Sequence, residues 1–337
     1  MIPPLYINRW GESMRRKGVN YSKYGYIFSI PFIIAFLIFS LYPTLYTAFI
    51  GFTDMKGVIP KPVHIMDNPF QNFRDLIVDN VSFRKSLSNT FVLWIANFIP
   101  QIGLALLLTA WFTNKRLNIK GQGAFKVLLY MPNIITASTI AVLFSSLFAY
   151  PMGPVNSLFH ALGWSDAPIQ FLQDKNTARG IVSFIQFWMW YGNTMIILIA
   201  GVMGINPALF EAAAIDGASG AQTFFRVTLP SLRTILLYSL VTSMLGGLQM
   251  FDIPQLFIAP AGGPDNATLT TSVFIYGQAF KGAYMYNKAA AASMIMFVIA
   301  AVLSALLFYL MRDRDEAKLR KQLKLQKKAA KAAAKGV

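Results

Sequence analysis

The sequence predicts an all-α membrane protein with six transmembrane helices and both termini in the cytoplasm. Hydrophobic residues make up 55% of its 337 residues, whereas charged residues make up only 13%. A soluble globular domain carries about 25% charged residues, so this chain has too few charges to cover a water-exposed surface. The same composition excludes a disordered chain, because disorder requires low hydrophobicity.

Six long apolar segments predict the membrane spans. The hydrocarbon core of a bilayer is about 30 Å thick and needs about 20 apolar residues in helical form. Asp252, in the fifth segment, is the only charged residue in any of them. The six segments are residues 24–53, 86–114, 127 to about 148, 180–210, 234 to about 259, and 289–311.

The first segment is expected to stay in the mature protein as a span. It is longer than the apolar core of a cleavable signal peptide, which has about 7–15 residues. Asp54-Met55-Lys56 follows it, where a signal peptide would have a cleavage site with small residues.

The basic residues predict the orientation. With six spans, 21 of the 30 Lys and Arg residues fall on the side of the N terminus. Cytoplasmic loops carry such an excess, so both termini are expected in the cytoplasm. This gives a basic N terminus (1–23), a membrane domain (24–311) and a basic tail (312–337).

The net charge of +16 does not indicate a nucleic-acid partner. Ten basic residues lie in the tail, which contains no aromatic residue, whereas nucleic-acid binding would favour interleaved aromatics or a recognition motif. Membrane topology and attraction to anionic lipid head groups account for the charge. We therefore expect membrane lipid, and no nucleic acid, as a partner of the tail.

Cysteine and histidine usage excludes several kinds of site. The chain has no Cys and only two His residues, His64 and His160, both in predicted outer loops. Disulfides, thiolate nucleophiles and Cys-ligated metals are therefore excluded. Two imidazoles are too few for most His-based metal sites, so no metal site is predicted.

The segment 206–230, between the fourth and fifth spans, has residues that typically begin and end two short helices. Asn206 is a favourable N-cap and Pro207 a favourable first helical residue. Gly217 suits a left-handed turn, Ser219 can cap a second helix, and Pro230 is expected to end it. The residues alone leave two alternatives open: a docking surface for another protein, or a connection that packs only on its own bundle.

This segment resembles a known motif. The run Glu211-Ala-Ala-Ala-Ile-Asp-Gly217, followed by Phe224, Leu229 and Pro230, is similar to the EAA loop of ABC importer permeases. In that family the loop is a coupling helix that docks into a cleft of the cytoplasmic ATPase subunit. The resemblance implies that ATPase coupling involves Glu211, Ala212, Ala213, Asp216 and Gly217.

Further motifs resemble the maltose-type, carbohydrate branch of these permeases over roughly residues 24–311. They are Leu41-Tyr42-Pro43, Gly51-Phe52-Thr53-Asp54, Phe251-Asp252 before Gly262-Gly263-Pro264, and the run 276–280. The resemblance implies the type I ABC importer architecture and a multi-pass protein of the prokaryotic plasma (inner) membrane.

The chain itself is not expected to be an enzyme. A Walker A loop needs a Gly-Lys dipeptide, and this dipeptide occurs nowhere in the sequence. No cofactor is therefore expected on this chain, and ATP and Mg would be bound by a partner ATPase. The resemblance implies two ATPase subunits, an extracytoplasmic solute-binding protein and a second, homologous permease chain.

Polar and aromatic residues in the fourth and fifth spans are the candidates for cargo contact. Sugars offer ring faces to aromatic side chains and hydroxyls to amides, and the spans carry no Lys or Arg to pair with an anion. A neutral sugar or oligosaccharide is therefore expected. The candidates are Trp190, Tyr191, Gly192, Asn193, Gln249, Phe251 and Asp252. For Trp190, Tyr191, Gly192, Gln249 and Asp252, the resemblance implies the same role.

Other roles for these candidates stay open. Aromatic residues near a membrane interface often serve as anchors, and Gly192 could allow close helix packing. An acid inside a span is expensive, so Asp252 could be a ligand, a gate or a packing residue.

Two other classes of function compete with an importer permease. An ion-coupled secondary transporter usually needs several intramembrane acids, and only Asp252 is present. An intramembrane enzyme would need a metal or a His or Cys base in its spans, and neither imidazole lies there.

Overall fold

The computed structural model describes residues 22–58, 62–114, 117, 119–311, 322–323 and 325–326. Regular structure in this part of the chain is helical, apart from an isolated antiparallel β-bridge between Thr53 and Ile65. The chain divides into two compact units, Met1–Phe49 and Ile50–Val337.

The first predicted span forms a nearly continuous helix. Helix α1 (Ser22–Phe36) passes through a π-helical turn (Leu37–Leu41) into α2 (Tyr42–Ile50). The side chains of residues 23–46 are all exposed, although most are apolar. A helix that is apolar all round and exposed suits contact with lipid.

The second span begins earlier than the uncharged segment predicted. After the short helix α3 (Gln71–Arg74) and a π-helical turn (Asp75–Asp79), helix α4 runs over Val81–Thr113. Its start is fixed by Asn80, whose side chain accepts a hydrogen bond from the backbone N–H of Phe83. The helix therefore begins before the apolar segment and includes Arg84 and Lys85.

The third predicted span is not one helix. Helix α5 (Gln122–Tyr130) ends in a 3₁₀ turn (Met131–Asn133), and helix α6 (Ala137–Leu147) leaves at an angle of 87°. Thr136 starts α6 by accepting a hydrogen bond from the backbone N–H of Thr139. The uncharged composition hid this break.

The fourth span forms the centre of the second unit. After α7 (Pro154–Ala161), helix α8 covers Lys175–Met203 and stops before Gly204, so the prediction that the span reaches residue 210 is wrong. Side chains of α8 such as Val182, Ile185 and Met195 are completely buried. This burial places α8 between the other spans of the unit.

The hairpin 206–230 contains α9 (Pro207–Ile215) and α10 (Gly220–Thr223). From α10 the chain continues through a π-helical turn (Phe224–Thr228) into α11 (Leu229–Ser231). Pro230 therefore lies inside helical structure and does not end it, contrary to the prediction. A proline is tolerated there because it occupies the first turn of α11.

The fifth span is interrupted. Helix α12 (Arg233–Leu248) and the short α13 (Asp252–Leu256) are separated by residues 249–251. Helix α14 (Thr271–Phe280), which the hydropathy pattern did not predict, packs beside the sixth span, α15 (Tyr286–Leu310).

The predicted fold class is confirmed. Within the described residues, five helical segments are long and apolar enough to cross a membrane, and the bent pair α5–α6 brings the number to six when counted as one span. Almost all of the basic segments 1–23 and 312–337 lies outside the described residues, so the domain limits and the orientation stay predictions.

Candidate functional site

The hairpin 206–230 has the local structure that its sequence predicts. Asn206 caps α9 by accepting a hydrogen bond from the backbone N–H of Ala208, 3.0 Å away. Gly217 has a left-handed φ of +69°. Ser219 and Gln222 form a reciprocal capping box at the start of α10. The turn between α9 and α10 is thus fixed by side chains within it.

The predicted coupling residues do not all face the same way. Glu211, Ala212, Asp216 and Gly217 are exposed, whereas Ala213 is buried.

Ile215, which is 87% exposed, was not among the residues that the sequence predicted for this contact. In a helix, residues two positions apart lie on opposite sides, so burial of Ala213 presents Ile215 outward. An exposed isoleucine beside Asp216 gives the hairpin an apolar contact point.

A polar cavity of about 140 Å³ lies between α4, α8 and α12. Two candidates, Trp190 and Asn193, line it, and Trp190 is 45% exposed. The complete lining consists of Asn97, Gln101, Gln186, Trp190, Asn193, Thr194, Ile197, Ser239, Thr242, Ser243, Gly246 and Gly247.

A hydrogen-bond chain joins the three helices at this cavity. The Gln101 amide donates to the Thr194 hydroxyl over 2.9 Å, and the Ser243 hydroxyl donates to the Gln101 carbonyl oxygen over 3.0 Å. The Ser239 hydroxyl is buried and has no partner among the described residues. The cavity therefore combines satisfied polar groups with one free hydroxyl.

Asn97, Gln101, Ser239 and Ser243 were not among the predicted site residues. Their spacing could have indicated them, because Asn97 and Gln101, like Ser239 and Ser243, are four residues apart and so place polar groups on one face of an apolar helix.

Tyr191 and Gly192 lie away from this cavity. Tyr191 is buried, and its ring centroid is 5.6 Å from that of Phe187. A Cβ atom on Gly192 would stand 2.3 Å from the backbone oxygen of Leu129. Gly192 thus permits the close approach of α5 to α8, as expected if its role is close helix packing.

Gln249, Phe251 and Asp252 lie at the interruption between α12 and α13. Gln249 is exposed and lines a second cavity, of about 500 Å³, between α12, α14 and α15. The Phe251 ring packs against Tyr276 at 5.3 Å. Asp252 is exposed at the start of α13. Gln249 and Trp190 therefore belong to cavities on different faces of α12.

The loop 257–270, which contains Gly262-Gly263-Pro264 and is predicted to lie on the outer side, is held by α4 and α8. Arg179 donates from Nε to the Ala267 carbonyl over 2.9 Å and from Nη2 to Asn89 Oδ1 over 2.6 Å. The Asn89 amide donates to the Leu269 carbonyl over 3.1 Å. These bonds fix the loop to both spans.

An ion pair adds a titratable contact to this loop. Lys175 Nζ lies 2.8 Å from a carboxylate oxygen of Asp265. The hydrogen bond and positive charge of Lys175 hold the pKa of Asp265 below its ordinary value of 3.8. Asp265 therefore stays ionised at neutral pH.

The described residues contain no group of three His, Asp or Glu side chains that could hold a metal ion.

Comparisons with known proteins agree with this architecture. Residues 77–321 match the family described as binding-protein-dependent transport system inner membrane component. The chain is 31% identical to the lactose transport system permease protein of Rhizobium radiobacter over 87% of this chain and 96% of that protein. It is 27% identical to the diacetylchitobiose uptake system permease protein of Streptomyces coelicolor, over 90% of this chain and 86% of that protein.

A solved structure has the same fold. A chain of the bacterial alginate ABC transporter, crystallised in complex with an alginate pentasaccharide-bound periplasmic protein, matches with a TM-score of 0.68 and 26% identity. The match covers 88% of this chain and 96% of that one.

Proposed function

Because the chain belongs to the family of binding-protein-dependent transport system inner membrane components, we propose that it forms the membrane pathway of an ATP-driven importer for a neutral sugar or oligosaccharide. The chain is a multi-pass permease subunit of the inner membrane and not an enzyme. Its family favours this function over the ion-coupled transporter that the sequence left as an alternative.

The polar cavity between α4, α8 and α12 is the observation that supports a hydroxyl-rich cargo. Polar side chains within spans are costly unless they face partners or a water-filled path. Here Gln186 and Asn193 offer amides, and the half-exposed Trp190 offers a ring face. A sugar ring presents the complementary hydroxyls and apolar face.

The same lining supports a neutral cargo. No Asp, Glu, Lys or Arg lines this cavity or the cavity of Gln249. An anionic cargo would bury its charge against neutral groups, and the free energy of desolvation would exceed what hydrogen bonds from amides recover. Permeases named for lactose and diacetylchitobiose support a carbohydrate. The alginate transporter imports an acidic polysaccharide, and the test below therefore includes uronic-acid oligosaccharides.

Among the cargo candidates, we propose direct contact for Trp190 and Asn193, and a second contact zone at Gln249. Gln249 and Phe251 lie in the interruption between α12 and α13, and Asp252 begins α13 directly after it. Tyr191 and Gly192 would act through helix packing.

For coupling, we propose that the hairpin 206–230 docks on a partner ATPase. Glu211, Ala212, Asp216 and Gly217 would lie at this contact, with Ile215 as its apolar anchor and Ala213 packing inward. ATP and Mg would be bound by the two ATPase subunits, and a second permease chain would complete the pathway. The alginate transporter was crystallised with its periplasmic protein, which supports an extracytoplasmic solute-binding partner here.

The test begins with the solute-binding protein that partners this chain, screened against neutral oligosaccharides, uronic-acid oligosaccharides and peptides. The preferred ligand is then used in uptake assays with the complete complex in proteoliposomes. Trp190→Ala should lower uptake at low cargo concentration about tenfold, equivalent to about 1.4 kcal/mol. Gln249→Ala and Asp252→Ala test the second zone.

Trp111→Ala is the matched control, since Trp111 is also half exposed but lies at the end of α4 and lines neither cavity. A binding protein that prefers an anion or a peptide would exclude the neutral-sugar proposal. Unchanged uptake in all three test variants would place the cargo path elsewhere.

A further inference from the structure

Helix α4 forms one wall of the polar cavity but has no direct chain connection to the hairpin 206–230. The chain joins the hairpin to α8 at one end and to α12 at the other. A third cavity, of about 530 Å³, lies between the hairpin and the ends of α4 and α8. Movement of the hairpin can therefore reach α4 only through noncovalent contacts.

One such contact joins Asn114 to Gly220, and both residues line this third cavity. Asn114 directly follows α4, and its backbone N–H donates to the Trp111 carbonyl over 3.4 Å. Gly220 is the first residue of α10. A Cβ atom on Gly220 would stand 2.7 Å from Asn114 Nδ2 and 3.6 Å from Asn114 Cγ. The Asn114 amide thus lies directly against the start of α10.

The two glycines near the turn of the hairpin have different reasons to be glycine. Gly217 has a φ of +69°, and a Cβ atom on it would have no neighbour within 4 Å. Gly220 is not left-handed, but a side chain on it would collide with the Asn114 amide. The close approach of α4, and not the backbone conformation, therefore accounts for Gly220.

Helix α4 connects this contact to the polar cavity. Gln101 lies thirteen residues before Asn114, which corresponds to about 20 Å along a helix. The helix is continuous between them, and Pro100 lies beyond Gln101. Gln101 donates to Thr194 and accepts from Ser243 at the polar cavity. A displacement of the end of α4 would therefore change the hydrogen bonds around this cavity.

We propose that Asn114 is a positioning residue through which the hairpin 206–230 moves α4. The Asn114 amide fills the space against α10, so a displacement of the hairpin also displaces the end of α4 and, with it, Gln101. Because this role rests on the proposed docking of the hairpin, it concerns how the ATPase contact acts on the cargo path. Asn114 and Gly220 are not among the residues assigned to the ATPase contact itself.

The first experiment removes the contact from each side. It measures ATP hydrolysis with and without loaded solute-binding protein, in assembled complexes matched for permease and ATPase content, so loss of folded permease alone does not change the ratio. Asn114→Ala removes the amide and lies outside the hairpin, so the ATPase should still co-purify. Gly220→Ala should push the amide aside at small cost, because Nδ2 is the tip of a side chain.

Each single change should lower the ratio of stimulated to basal hydrolysis about threefold, within the range of mutations that alter coupling between sites. The double variant should lower it no further, since both changes remove the same contact. Gly123→Ala is the matched control and should leave the ratio unchanged. Gly123 lies in α5, and a Cβ atom on it would have no neighbour within 4 Å.

The second experiment restores the contact covalently. The chain contains no Cys, and the Sγ atom of a cysteine at position 114 would lie near the present place of Asn114 Cγ, within reach of a disulfide to position 220. Reduced Asn114→Cys/Gly220→Cys should have the low ratio of the single variants, and oxidation should raise it toward the wild-type ratio. The unmodified permease, treated with the same oxidant, controls for thiols of the partner subunits.

A ratio that either single variant leaves unchanged would overturn this role for Asn114, and so would additive losses in the double variant. Failure of the disulfide to form, or an oxidised ratio as low as the reduced one, would also overturn it. If the wild-type complex shows no cargo-stimulated hydrolysis, the proposed transport function fails instead, so the two failures are distinguishable.

Discussion

Gly217 shows how one backbone angle selects a residue. Its φ is +69°, and a Cβ atom placed on it would have no neighbour within 4 Å. Crowding therefore plays no part, and only the left-handed conformation disfavours other residues. That conformation costs most L-residues about 1–2 kcal/mol, and Asn adopts it more readily than most.

We expect Gly217→Val to tilt α9 against α10 and to abolish cargo-stimulated ATP hydrolysis in the assembled complex. Gly217→Asn should retain most of it, since Asn adopts positive φ at smaller cost. The measurement is hydrolysis with and without loaded binding protein, in complexes matched for permease content. Full stimulation in the Val variant would show that the turn does not transmit the signal.

Gln101 joins α4 to both α8 and α12, since its amide donates to Thr194 and its carbonyl accepts from Ser243. Gln101→Leu should destabilise the permease by about 1 kcal/mol, the usual size of such bonds between membrane helices. Thermal unfolding in detergent measures this.

Ser243→Ala should cost less alone and add little to Gln101→Leu, because the first change already removes their common bond. Additive losses would mean that the two side chains stabilise the bundle independently.

At the level of elements, the loop 257–270 depends on the charge of Asp265 as well as on the hydrogen bonds of Arg179 and Asn89. The pKa of Asp265 is lowered in the folded protein, so its ion pair with Lys175 stabilises the loop at pH values above 3.8, the ordinary pKa of the carboxyl. This stabilisation is lost as the pH falls through the lowered pKa. The side chains are exposed, so only the loop should respond.

Hydrogen-exchange protection of the Ala267 and Thr268 amides, corrected for intrinsic rates, should fall as the pH is lowered from 5 through 3.8 and further. Lys175→Gln should lower protection at pH 5 and remove most of the pH dependence, because Lys175 lowers the pKa of Asp265 more than Lys85 does. Lys56→Gln, in another segment, should change neither. A pH response that Lys175→Gln leaves undiminished would assign it to another group.

The elements differ in how far their sequence specifies them. The caps at Asn206 and Ser219 and the turn at Gly217 were predictable because each depends on residues within a few positions. Helix α14 could not be predicted in this way, and neither could the buried positions of Tyr191 and Gly192. Both depend on contacts with elements that are distant in the sequence. Gly192 illustrates this, since only the approach of the Leu129 backbone shows why a side chain is excluded.

The break between α5 and α6 is an intermediate case. Pro132 and the capping residue Thr136 were visible as local signals, but the uncharged composition of residues 127–148 outweighed them. Composition identifies a segment that can enter a membrane, whereas caps and prolines decide whether it crosses as one helix.

For the whole molecule, the orientation in the membrane rests on the distribution of charge. The predicted excess of Lys and Arg on the N-terminal side places the hairpin 206–230 and the tail in the cytoplasm, and the segment before α8 outside. The sequence contains no Cys, so a single introduced cysteine would be the only reactive thiol.

Three single-cysteine variants test this orientation with a membrane-impermeant maleimide on intact cells. Asp166→Cys, at an exposed position between α7 and α8, should be labelled directly. Ala221→Cys in the hairpin and Lys335→Cys in the tail should be labelled only after the membrane is permeabilised. The unmodified chain is the blank. Labelling of Ala221→Cys in intact cells would invert the orientation and would place the proposed ATPase contact on the side without ATP.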